Sequence, residues 1–377
     1  MSDVAEAAVA LTAELVAIDS VNPGLVPGAA GEDEIVRHLR ARLDAAGFAT
    51  QVVEAEGSGG RPSLVAVGPG SRGDPTVVLN GHLDTVGVAG MTAPHTPVRD
   101  GDRLSGRGAA DMKGGVAALV TAAEAVVASR PPVRVVLTLV ADEEDASRGS
   151  EAVITALPSL GIRPDVCVIA EPTDLTPARS LRGFAVVRVR FEGRAAHSSQ
   201  PELGVNAVSH LGRFVMSVDA HALAVRARGG DLMVTVARGG DSPFVVPEWA
   251  ECLVERRTAP GESAATALAE VRDLLPPGAD ATAELQAYRE AWELDAEGPA
   301  AELATHLGDA LGTSATFAAP YWMEAPLWQA VCPTLVCGPS GGGLHAADEW
   351  VDLRQVRAFA EALPGVLREW ADARRAH

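Results

Sequence analysis

Cysteine, positive charge and long apolar stretches are all in short supply in this 377-residue chain, and each shortage removes a class of protein. Four cysteines occur (Cys167, Cys252, Cys332 and Cys337) with no CxxC pair, which argues against a disulfide framework and for buried reduced thiols. Basic residues number 31 against 50 acidic ones, a formal net charge of −19, so a phosphate backbone or an anionic membrane surface is a poor partner. Small molecules and metal cations remain. No apolar run of about 18 residues is evident, so no membrane span is expected. The first residues, MSDVAEAAVALTAELVAIDS, carry acids where a signal peptide carries Lys or Arg. They read as an amphipathic helix ending near Asn22-Pro23, and the cytoplasm is the default location.

What is present describes a packed globular chain, 47% hydrophobic and with a mean hydropathy of +0.12. Its length favours two domains, or one large domain with an insertion. The segment GEDEIVRHLRARLDAAG (31 to 47) has helical spacing with acids in its first turn. SLVAV (63 to 67), TVVLN (76 to 80), VRVVLTLVA (133 to 141) and VCVIA (166 to 170) are buried-strand runs, with an Ala-rich helix over 112 to 129. That alternation predicts an α/β domain. Near residue 182 the texture changes: FAVVRVRFEG alternates apolar with polar, VNAVSHLGRFVMSV is a two-faced helix, and further strands and a helix follow. The expected organisation is a catalytic domain over 1–181 and 293–377, with an inserted α+β domain over 182–292. The closing helix begins near Leu353 and should bend at Pro364.

Acids and imidazoles gather where strands end. His82 and Asp84 follow one strand, Asp111 precedes a helix, ADEED closes the next strand, Glu171 follows a fourth and His345 lies beyond the last. In an open α/β sheet those ends share one rim. Crowded carboxylates repel one another unless cations compensate them, so two divalent ions are expected. The donor set is His and Asp/Glu without thiolate, which suits zinc, with cobalt or manganese as alternatives, in a catalytic site. A competing reading starts from Gly68, Gly70 and Gly73, whose GxGxxG spacing follows a strand as in nicotinamide-dependent oxidoreductases. That reading needs a helix there, whereas Asp74-Pro75 and another strand follow, so a hairpin-like turn is expected instead.

GHLDTV, GRGAADMKGG, ADEE, AEPT and LHAADEWV, in this order and spacing, resemble the M20 metallopeptidases, the family of acetylornithine deacetylase, succinyl-diaminopimelate desuccinylase and the carboxypeptidase G2 type. The resemblance implies a mixed-sheet, zinc-exopeptidase-like catalytic domain and a ferredoxin-like insertion that serves as lid and dimer interface. It implies that His82 and Glu171 hold one metal, Glu144 and His345 the other, and that Asp111 bridges them. A cis peptide between Asp111 and Met112 often accompanies that arrangement in the family. Asp84 would orient His82 by accepting its free N–H. Glu143 would take a proton from a metal-activated water and pass it to the leaving amine. Asp142 and Asp145 are read as structural. In the insertion, His197 would stabilise the oxyanion, often from a partner subunit, and Arg257 would grip a substrate carboxylate. Asn206 is a further substrate contact, while Arg256, pointing the other way along its strand, should face solvent. Tyr321, Trp322 and Glu324 either line a pocket or form a packing cluster. A relative without catalysis would lack the base or a ligand, and this chain keeps all of them. The implied reaction is hydrolysis of an N-acyl amino acid of the acetylornithine type, with desuccinylation or carboxypeptidase and dipeptidase activity as alternatives.

Overall fold

The computed structural model of the chain describes residues 3–375 apart from 56–59 and 72. They fall into two compact units: Met1–Arg179 with Leu294–Phe317 and Met323–His377, and Ser180–Glu293 with Ala318–Trp322.

The first unit is built on six strands: β1 (Ala49–Glu54), β2 (Pro62–Val67), β3 (Thr76–His82), β4 (Arg134–Val140), β5 (Val166–Ile169) and β6 (Thr334–Val336). Their order across the sheet is β1-β2-β4-β3-β5-β6. The last four run parallel, and β1 and β2 form an antiparallel margin, so the sheet is mixed. β4 lies between β2 and β3, so their connection is a crossover and the expected hairpin-like turn is not formed. Arg72, within that connection, lies outside the described residues. No helix follows Gly73 before β3 begins, so the helix that a dinucleotide site requires is absent there.

Alternate residues of the central strands serve two layers, because successive side chains leave a strand on opposite faces. Val77, Leu79, Val135, Leu137, Leu139, Val166 and Val168 join a core shared with helices Asp3–Val16, Asp33–Ala45, Gly114–Ser129, Pro299–Leu311 and Leu353–Arg375. Helix Gly114–Ser129 is apolar nearly all round because it is enclosed, packed by the first helix and the last. By length and composition the stretch Ala109–Ser129 could cross a membrane, which the sequence reading did not register, yet 72% of its most apolar window is buried inside the protein. Gly81 and Gly115 let this helix approach the sheet. A Cβ at Gly81 would collide with Val116 and Met112, and one at Gly115 with the Ala170 carbonyl. The opening helix ends at Val16, six residues short of Asn22, and the closing helix runs from Leu353 to Arg375 with Pro364 inside it.

The second unit has the order strand, helix, strand, strand, helix, strand. Strands Gly183–Glu192, Asp231–Gly239, Trp249–Thr258 and Asp280–Arg289 form one antiparallel sheet. Helices Ala207–Ala227 and Ala264–Asp273 supply the apolar partners for the inward residues Val187, Val189, Phe191, Cys252 and Val254.

Candidate metal centre

The parallel strands end on one rim, and the acids and imidazoles stand there. His82 is the last residue of β3, Asp142 to Asp145 follow β4, and Glu171 follows β5. Asp111 lies in the turn Ala109–Lys113 ahead of the central helix, and its peptide bond to Met112 is cis. His345 follows β6 by way of the glycine-rich loop and has a left-handed φ of 60°.

One carboxylate organises the group. Oδ1 of Asp111 stands 3.0 Å from Nε2 of His82, and its Oδ2 stands 3.2 Å from Nε2 of His345. Glu171 Oε1 adds to the first side at 3.8 Å from His82 Nε2, and Glu144 Oε2 to the second at 3.1 Å from His345 Nε2. Ligand atoms of His82, Asp111 and Glu144 lie within 4.8 Å of one another, as do those of His82, Glu143 and Glu171. Bonds of about 2.0–2.1 Å to a tetrahedral zinc put neighbouring ligand atoms about 3.4 Å apart, within the observed range. Glu144 Oε1 is buried without a hydrogen-bond donor among the described residues, which is where a cation would serve. The residues therefore fit two divalent ions sharing Asp111.

The protons reflect the same crowding. Burial opposes charge on His82, but its hydrogen bond with Asp111 and the charges of Glu171 and Glu143 hold its pKa well above the usual imidazole value. His345 is pushed up to about 10 by hydrogen bonding to Asp111 and Glu144. Burial raises Glu143 well above the carboxylate range, and the charge of Glu171 adds to it. Burial likewise raises Glu171 and Glu144. Asp111, between two imidazoles, is lowered although burial opposes this. Cations bound there would take the place of those protons.

Backbone geometry turns Glu143 and Glu144 away from the line of β4. Asp142 has φ 68°, a left-handed value that Asp tolerates. Arg61 Nη1 donates to Asp142 Oδ1 at 2.9 Å, and Asn22 Nδ2 donates to the same oxygen at 3.2 Å, so the structural reading of Asp142 has a concrete basis. Arg61 is in turn clamped by the buried Glu32, to which its Nε donates at 2.7 Å.

The role read for Asp84 needs correction. Nδ1 of His82 donates to the backbone carbonyl of Asp84 at 3.0 Å, while the nearer carboxylate oxygen is 3.7 Å away. The carboxylate instead accepts from the amides of Glu143 at 3.0 Å and Glu144 at 3.2 Å, and from Asn22 Nδ2 at 2.7 Å. The amides exposed where β4 ends claim the acid, and the main chain serves the imidazole.

A profile of peptidase family M20/M25/M40 matches residues 78–369. The chain belongs to that family. Curated relatives include acetylornithine deacetylase of Myxococcus xanthus, 34% identical over 278 residues, 70% of each chain. Another is acetylornithine deacetylase of Salmonella arizonae, 30% identical over 346 residues, 86% of this chain and 87% of the relative. Among solved structures, a tripeptidase from Staphylococcus aureus superposes with TM-score 0.79 at 18% identity, covering 98% of this chain and 99% of that one. A dinuclear metal-binding M20 peptidase of Bacillus subtilis gives 0.72 at 15% identity, covering 96% and 98%. This M20 chain is a metal-dependent hydrolase of amide bonds.

The remaining candidates, apart from Glu324, lie in the second unit. His197 is exposed, with Nδ1 2.8 Å from Ser199 Oγ. Asn206 caps helix Ala207–Ala227, its side-chain oxygen accepting from the amide of Ser209 at 3.0 Å. Arg257 is half-buried, pairs with Glu255 at 2.7 Å and lies over the Phe184 ring, 5.5 Å from its centroid. Arg256 does oppose it, but on the buried side, where it bonds Glu262 and Glu270 at 2.7 Å each. The expectation that it faces solvent fails because these acids give a buried guanidinium its counter-charges. Trp322 packs edge-on against Phe184 at 6.2 Å. Glu324, in the first unit, is buried in the layer behind β3, accepting from Ser150 Oγ at 2.7 Å, and its pKa is raised to about 7, mainly by burial.

Sequence reasoning passed over Arg61, Asn22, Glu32 and Glu349. The first three are far apart in the chain and carry no spacing signal. Glu349 stands inside LHAADEWV, four residues past His345.

Proposed function

We propose that this M20 hydrolase removes the acyl group from an N-acyl amino acid in the manner of acetylornithine deacetylase, with zinc as its metal. The observation that carries the reading is the Asp111 carboxylate, whose two oxygens each meet a different histidine with its own glutamate beside it. The curated acetylornithine deacetylases at 27–34% identity direct it toward this substrate class.

Two divalent cations, when bound, supply Lewis-acid polarisation of the amide carbonyl and acidify water. The chain's own residues do the rest. His82 and Glu171 would hold one ion and His345 and Glu144 the other, with one oxygen of Asp111 available to each side. Glu143, its affinity for a proton raised by burial and by Glu171, takes the proton of the attacking water and delivers it to the departing amine nitrogen. Asp84 holds the backbone from which Glu143 projects. His197 stabilises the developing oxyanion, Arg257 binds the substrate carboxylate through its fork, and Asn206 adds a substrate contact.

The inserted unit, over 182–292 as read from sequence, is the lid and the homodimer contact. Supporting this, strand Asp231–Gly239 lies at the edge of its sheet, and helix Ala207–Ala227 exposes Met216 at 74% and Leu223 at 70%. Four buried free cysteines agree with a cytoplasmic enzyme.

The test is a panel of N-acetyl amino acids, N-succinyl-diaminopimelate and dipeptides, assayed with zinc, with cobalt and after chelation. Preference for N-acetylornithine or a close N-acetyl amino acid is expected. Preference for the succinyl compound or dipeptides would reassign the substrate, and activity after complete metal removal would end the metal-dependent reading.

A further inference from the structure

The turn that presents Asp111 is held by a buried acid outside the ligand set. Glu349 is 1% exposed and accepts four N–H bonds, two on each oxygen. Oε1 takes the amides of Ala110 at 3.1 Å and Asp111 at 3.2 Å. Oε2 takes the amide of Gly108 at 3.0 Å and Nη1 of Arg107 at 2.6 Å. The backbone carbonyl of Glu349 also accepts from the Gly106 amide at 3.2 Å. Arg107 is as buried as Glu349 and supplies its counter-charge.

A carboxylate is the one side chain that offers only acceptors on two oxygens, and three successive-turn amides plus a guanidinium use both. Glu349 lies four residues beyond His345, so one short segment carries both a histidine of the centre and the clamp on the bridging aspartate. The 3.2 Å separation of Asp111 Oδ2 from His345 Nε2 is thereby fixed from two directions. On the other side of the centre Asp84 does the same for Glu143 and Glu144, with two amides on one carboxylate. Each acid pins a turn from which ligating or proton-carrying side chains project.

We propose that Glu349, locked by Arg107, is a positioning residue that sets the bridging carboxylate of Asp111 through the backbone amides of Gly108, Ala110 and Asp111. The proposal rests on the two-cation reading of the centre. Glu349→Gln turns one acceptor oxygen into an NH2 group facing backbone donors, at unchanged volume. Arg107→Lys keeps the charge and loses the fork.

Zinc affinity by competition with a chromogenic chelator, the visible spectrum of the cobalt-loaded protein, kcat and KM, and the melting temperature of the metal-free form are measured for wild type and both variants. Glu349→Gln is expected to weaken zinc binding about 10- to 100-fold, the range for groups that orient metal ligands, to shift the cobalt spectrum and to lower kcat with KM little changed. Arg107→Lys should show the same changes, smaller, and carries the test if Glu349→Gln does not fold. Variants that melt earlier but bind zinc, colour with cobalt and turn over per folded molecule as wild type does would overturn the proposal. A wild type that binds no zinc would instead bring down the two-cation reading and the proposal with it.

Discussion

Replacing Asp84 by asparagine separates two accounts of how the centre is held. The amide keeps one acceptor oxygen, and the less disruptive orientation leaves it where Asn22 Nδ2 and the Glu144 amide donate, so the new NH2 group faces the amide of Glu143. One charge-assisted bond is lost and two donors confront each other, at a cost of about 2 kcal/mol. If that displaces the Glu143 carboxylate in the transition state, kcat falls about 30-fold, since about 1.4 kcal/mol is a factor of ten. The main-chain carbonyl that orients His82 is untouched, so zinc affinity should stay close to that of wild type. Steady-state kinetics with saturating zinc, together with a zinc titration of the same preparation, measures both quantities. A variant that lost zinc affinity tenfold or more while turning over normally once loaded would refute the reasoning. The carboxylate would then act through the imidazole after all.

Glu143→Gln should keep both cations and lose about 10²- to 10⁴-fold in kcat, the usual range for a general acid–base group; loss of metal instead would exchange the roles of Glu143 and Glu144. Arg61→Met leaves Glu32 buried without its cation and Asp142 with only the exposed Arg148, 3.7 Å away, and about 3–5 kcal/mol of stability should go with it, read from denaturant unfolding. The metal-free protein should lose stability as pH rises from about 6.5 towards 10. His345, raised to about 10, contributes stability fully present below its unfolded pKa and lost as pH climbs through the folded value. The raised imidazole of His82 and the raised carboxyls of Glu143 and Glu171 act in the same direction, because the folded state holds their protons longer. Together with His345 they outnumber the opposing group, Lys113, which burial lowers to about 7 and whose contribution to stability therefore grows as pH rises. Thermal unfolding of chelated protein at several pH values checks this, and a midpoint that rises with pH over that window would contradict it.

Much of the fold was legible because buried strands and enclosed helices write themselves as apolar runs. VVLTLV and VCVI became β4 and β5, and the two-faced helix beginning near Val205 starts at Ala207. Strand order was not legible: the glycines between β2 and β3 suggest a hairpin, but β4, far along the chain, pairs between them. The candidate ligands stand together because four of the five lie at or beyond the ends of strands that share a rim and Asp111 heads the helix packed against it, and motif order carried that information. The supports did not announce themselves. Which acceptor serves His82, main chain or carboxylate, is decided by the free amides at the end of β4, and no spacing encodes that choice. Arg256 shows the same limit. Alternation placed it opposite Arg257, but whether that side is wet depends on Glu262 and Glu270 arriving from a neighbouring helix and its approach.

A crystal of the zinc-loaded protein, with anomalous differences collected across the zinc edge, tests the central claim most directly. Two peaks are predicted, one against His82 and Glu171 and one against Glu144 and His345, with an oxygen of Asp111 on each. A single peak, or two that do not share Asp111, would contradict it.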